Sequence, residues 1–139
     1  MRFTLQCLNL LNAYETIDER LPRLTDFLDN NPPTVFAAQE VLTDPQGSGL
    51  VHLPTAAAFT TAGLTLAVAG AIRSGHHSGN AIWYDQERLQ LLTTGELTFP
   101  HVDGLRFQSP SLVYGVFRNA AGSEVILFNK QMSGGVPAL

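Results

Sequence analysis

An α/β (α+β) fold, with a mixed and mostly antiparallel sheet and one N-terminal helix, is what this sequence predicts, and three features predict it. A strand pattern, a helical pattern and a second strand pattern follow one another over residues 2–42. Helical spacing is scarce after residue 30, while short strand signals recur to the end. The length of 139 residues suits one domain with a real core and falls short of two independent ones.

The first strand is written in Phe3, Leu5, Cys7, Leu8, Leu10 and Leu11, an alternation that turns continuously apolar before a loop at Asn12–Tyr14. Asn9 sits near its carboxyl end. From Ile17 the period becomes helical: Ile17, Leu21, Leu24, Phe27 and Leu28 share a face, and Asp18, Glu19, Arg20, Arg23 and Asp26 lie away from it. Thr16 with Glu19 forms a capping-box pattern, and the helix should stop by Asn30–Asn31, ahead of Pro32–Pro33. The run TVFAAQEVL at 34–42 reads as a buried strand that ends at the polar pair Gln39 and Glu40.

A loop over 44–54 leads to Thr55–Ile72, which divides into two weak strands around Gly63. After RSGHHSGN, strands are expected at Ala81–Tyr84, Leu89–Thr93, Ser111–Arg118 and Glu124–Asn129. Asn119–Gly122 should join the last two as a hairpin.

Composition narrows the functions. A formal charge of −4 gives no basic footprint for nucleic acid, so a nucleic-acid role would have to rest on a metal. The single cysteine, Cys7, cannot form an intramolecular disulfide and reads as a small core residue. The N-terminus lacks a signal-peptide pattern, which makes a cytoplasmic location the default. No Asp, Glu, Lys or Arg lies between Asp44 and Arg73, but Pro54, His52 and the glycines of that stretch argue against a membrane span.

Asn9 and Gln39–Glu40 stand at the carboxyl ends of strands that should be neighbours, the edge where sites form in open α/β sheets. Their oxygens are hard ligands suited to Mg²⁺. A Gln-Glu pair in this position also serves simply as a solvated strand end. The other clusters carry less. His76–His77 lacks flanking ligands at zinc spacing, and His52 and His101 are isolated. Ser48, Ser78 and Ser111 have no nucleophile elbow, SGHHSGN no phosphate-loop lysine, and Trp83–Tyr84 follow the strand period.

The order of four blocks resembles the endonuclease/exonuclease/phosphatase family. They are the strand ending in Asn9 with Arg20 opening an amphipathic helix, VFAAQEVL after a proline-bearing turn, SGNAIWYDQERLQLL, and RFQSPSLVYGVFRNAAGSEVILFNKQM. The resemblance implies a divalent-metal-dependent phosphoester hydrolase, with Glu40 as the acidic ligand of Mg²⁺ or Mn²⁺ and Asn9 supporting the same site. Asn129 falls on the asparagine of the family's Asn-Thr-His-Leu motif, where it would hold site loops or a phosphate oxygen; capping a turn is its alternative. Gln131 replaces the motif's histidine and could donate a hydrogen bond without a charge. The family's Asp-x-Asn and Asp-His segments would lie beyond Leu139.

The resemblance therefore implies that residues 1–139 are a single partial domain, half of a four-layered α/β sandwich, inactive alone. Its partners would be a phosphoester substrate of unspecified class and a second copy or a second-half chain. The alternatives are a non-catalytic interaction module that pairs its open sheet with another chain, and an unrelated small α/β binding domain.

Overall fold

The computed structural model of the chain describes residues 3–10, 16–42, 51–70, 78–98 and 111–130. Its elements in order are β1 (Leu5–Asn9), α1 (Ile17–Asn30), β2 (Val35–Leu42), α2 (Leu53–Thr61), β3 (Thr65–Ala69), β4 (Ser78–Tyr84), β5 (Leu89–Thr98), β6 (Ser111–Asn119) and β7 (Glu124–Asn129). Parallel strands need a crossover, and α1 supplies it between β1 and β2, which pair in parallel with Asn9 beside Gln39. The remaining ladders are antiparallel, giving a four-stranded sheet of order β1-β2-β4-β3 and a three-stranded sheet of order β5-β6-β7.

Alternation along β2 sends its side chains into two cores. Phe36, Ala38 and Val41 join Leu24 and Leu28 of α1, Ala58 and Phe59 of α2, and Trp83 of β4, so both helices cover one face of the first sheet. Val35 faces the opposite way with Ile82 and Tyr84, against Leu89, Val113 and Phe117 of the second sheet. The layers are helices, sheet and sheet.

Two features of this architecture correct the sequence reading. The helix at the N-terminus is joined by a second, α2, where two weak strands around Gly63 were expected; only β3 after that glycine is a strand. Three consecutive alanines favour helix, and Pro54 in the first turn is where a helix tolerates proline. The strands also form two sheets. Asp85 donates its backbone N–H to Thr34 O at 3.0 Å and its carboxylate accepts from Glu87 N at 2.9 Å, a turn that carries the chain out of the first sheet into the second.

Smaller differences follow from local bonding. Thr16 stands at the start of α1 without a side-chain capping bond, whereas the far end closes as expected, with the Asn31 backbone and side-chain amides both donating to Phe27 O. Cys7 is exposed and not in the core: among the described residues β1 ends the order of its sheet, and the core between the two sheets does not extend over it. The hairpin at Asn119–Gly122 is present: Asn119 Oδ1 accepts from Ala121 N and Ser123 N, and Gly122 takes φ +84°. Gln131, His76, His77, His101 and Ser48 lie outside the described residues. Among those described, no helix is long and apolar enough to cross a membrane.

Candidate functional site

The sheet edge formed by the carboxyl ends of β1 and β2 gathers the polar side chains that the sequence singled out. Parallel pairing sets Asn9 beside Gln39, and Asn9 Nδ2 donates to Glu40 Oε1 at 2.9 Å. The sheet does not end at this pair, as expected from the sequence, but continues to Leu42 through an irregularity.

That irregularity aims the carboxylate. Ala38 pairs with Ala81 and Val41 with Gly79, so Gln39 and Glu40 together oppose the single residue Asn80, a β-bulge. One extra residue resets the alternation, which is why Val41 returns to the helix-side core with Phe36 and Ala38. Glu40 absorbs the insertion with φ +50°, the left-handed region that costs a non-glycine residue roughly 1–2 kcal/mol. Strain of this kind persists where surrounding contacts over-determine it, and it concentrates at functional sites.

Those contacts come from β7. Asn129 is 2% exposed. Its Nδ2 donates to Ala38 O at 2.8 Å and Ala81 O at 2.9 Å, while its Oδ1 accepts from Gln39 Nε2 at 2.5 Å. One side chain of the second sheet thus clamps β2 and β4 of the first beside the bulge. Gln39 Nε2 also reaches Cys7 Sγ at 3.3 Å, extending the network to β1. Neither sequence alternative for Asn129 anticipated this arrangement, in which its amide is taken up by backbone carbonyls of another sheet. Arg20 closes the rim of the site by donating to Leu10 O, just past β1, and to Thr16 O.

Sequence reasoning missed Asn80, a buried polar residue opposite the bulge. A polar residue entering an apolar run, GNAIWY, was its only signal. Gln131 falls outside the described residues, so Asn9, Glu40 and Asn129 are the sequence-selected positions brought to this edge.

Hard oxygen donors at this edge, one carboxylate and one carboxamide, are the type that a Mg²⁺ ion retaining several waters accepts. Among the described residues no group of three or more His, Cys, Asp or Glu side chains comes together.

The strain makes a direct prediction. Glu40→Gly should be about 1 kcal/mol more stable than Glu40→Ala in chemical denaturation, because only glycine adopts φ +50° without penalty. Equal stabilities would mean that residue 40 is not held in the left-handed region.

No family model matches the sequence, and no curated protein does. Solved structures do match. An endonuclease/exonuclease/phosphatase family protein from Bacteroides thetaiotaomicron aligns at 18% identity and a TM-score of 0.69, over 91% of this chain and 49% of its own. ANGEL2, a 2′,3′-cyclic phosphatase in complex with adenosine-2′,3′-vanadate, aligns at 14% identity and a TM-score of 0.74, over 94% and 41%. TDP2 of D. rerio, complexed with a single-strand DNA product, aligns at 16% and 0.68, over 91% and 44%. The chain has the fold of a partial endonuclease/exonuclease/phosphatase-type domain, and spans about half the length of these structures.

Proposed function

We propose that this chain is the metal-holding half of a divalent-metal-dependent phosphoester hydrolase. The observation that carries the reading is Glu40, held in a strained conformation at a strand bulge with its carboxylate against Asn9. The shared fold supports it, and two of the proteins compared above are named for phosphate chemistry or hold a DNA product.

In this reading Glu40 supplies the negative charge that Mg²⁺ or Mn²⁺ requires, and Asn9 fixes the carboxylate through its Nδ2. A bound ion would contribute Lewis-acid polarisation of a phosphoryl oxygen and stabilisation of the leaving oxygen. Asn129 acts from beneath, holding the bulge and Gln39 in place. Gln131 would donate a hydrogen bond to the phosphoryl group. A base to activate water would lie outside residues 1–139, which leaves these residues inactive by themselves. A cytoplasmic setting agrees with the lone Cys7.

A second reading, a non-catalytic module that pairs its open surfaces with another chain, is favoured by the exposure of Leu5, Leu8, Ile126 and Phe128.

Metal titration tests the first reading. At an ion concentration about a hundredfold above Kd, binding should add about 2.7 kcal/mol to the wild type, read as a raised melting temperature, and nothing to Glu40→Ala. A wild type indifferent to both ions would remove the metal reading. Hydrolysis of a generic phosphodiester by this chain alone would overturn its assignment as an inactive half.

A further inference from the structure

Two backbone carbonyls decide how the side chain of Asn129 sits. Ala38 O and Ala81 O accept hydrogen bonds and cannot donate them, so the Asn129 atom between them has to be Nδ2, which bonds them at 2.8 and 2.9 Å. Oδ1 is then turned away from these strands, and in a buried residue it needs a donor of its own. Gln39 Nε2 supplies one at 2.5 Å. Gln39 is oriented in turn by β1, where the Cys7 thiol accepts from Nε2 at 3.3 Å and donates to Oε1 at 3.7 Å. Donors and acceptors therefore run in one sense from Gln39 through Asn129 to the two carbonyls. A reversed Asn129 carboxamide would set an oxygen against both of them.

The place of these carbonyls in the ladder gives the bonds their importance. Ala38 and Ala81 form the last regular pair of β2 and β4 before the bulge, and Gln39 is the last β2 residue in register with β1. Glu40 comes next, at φ +50°. We propose that Gln39 is a positioning residue that aims Glu40: its amide locks Asn129 in the one orientation that clamps the Ala38–Ala81 pair, and the clamped pair holds the bulge. The proposal deepens the phosphoesterase reading and rests on it only for the consequence at an ion. A direct ligand role for Gln39 is the competing account, and it differs in leaving Asn129 and residue 40 unaffected when no ion is bound.

Gln39→Met keeps the length of the side chain and removes the donor, while Gln39→Glu keeps the shape and offers Asn129 Oδ1 only another oxygen. In the ion-free protein, followed by NMR, the side-chain amide hydrogens of Asn129 should exchange with solvent about tenfold faster in both variants, with the backbone amides of β6 unchanged. Glu40→Gly and Glu40→Ala should differ about fivefold in unfolding equilibrium with Gln39 in place, and less than about twofold once each is combined with Gln39→Met. Mn²⁺ should bind Gln39→Met about tenfold more weakly than the wild type.

Unchanged exchange at Asn129 in both variants would overturn the proposal, as would a glycine-to-alanine difference that survives the loss of Gln39. Weaker Mn²⁺ binding with both ion-free readouts unmoved would overturn it too, by making Gln39 a ligand. Mn²⁺ bound equally well by Gln39→Met and the wild type would show that the aim of Glu40 does not depend on Gln39. A wild type that binds no Mn²⁺, with the ion-free readouts moving as expected, removes the phosphoesterase reading and keeps Gln39 as the residue that positions Glu40.

Discussion

Asn129→Asp is expected to lose about 4 kcal/mol of stability, more than the roughly 3 kcal/mol expected for Asn129→Ala, although aspartate has the same shape. Both amide hydrogens of Asn129 point at carbonyl oxygens, Ala38 O and Ala81 O, in a site with 2% exposure. Alanine leaves those carbonyls and the Gln39 amide without their partner, which costs about 1–3 kcal/mol for each buried group not rescued by water. Aspartate replaces the donor with a carboxylate oxygen facing two carbonyls, adding repulsion to lost bonds. Melting temperatures lowered by more than about 10 °C, with aspartate the lower, are the expected readout. If aspartate is tolerated, and above all if Mg²⁺ restores it, Asn129 faces the ion and not the strands.

The position of Asn129 also marks where sequence reading stops. That Asn9 and Glu40 would meet was legible, because a strand, an amphipathic helix and a strand of these lengths force a parallel pair with both carboxyl ends at one edge. The bulge was not. VFAAQEVL contains no glycine to announce a positive φ, and Glu40 is held there by a clamp from a strand some ninety positions later in the chain, at Asn129. The separation into two sheets was equally hidden: strands were expected at Ala81–Tyr84 and Leu89–Thr93 with nothing between them to mark a change of sheet, and the bond from Asp85 N to Thr34 O takes part in directing the chain elsewhere. Cys7 shows the same limit from the other side, since an apolar alternation predicts a buried face without saying whether another strand will arrive to cover it.

Phe59→Ala is expected to cost about 4 kcal/mol, the second large effect, and it tests the element that the sequence concealed. Phe59 is fully buried, its ring stacked on Trp83 with centroids 4.0 Å apart and edge-on to Phe36 at 5.0 Å, so it is the main attachment of α2 to the first sheet. Truncation leaves a cavity among side chains fixed by two strands, where collapse is restricted. Loss at Phe59 alone would not distinguish helix from strand, because either could bury a phenylalanine. Ala57 separates them. Strand alternation places Ala57 on the same face as Thr55 and Phe59, whereas in α2 Thr55, Ala58 and Phe59 are buried and Ala57 is exposed. Ala57→Glu should therefore shift stability by no more than about 0.5 kcal/mol while Phe59→Ala shifts it severely. A strongly destabilised Ala57→Glu would restore the strand reading and remove the helix that covers Trp83.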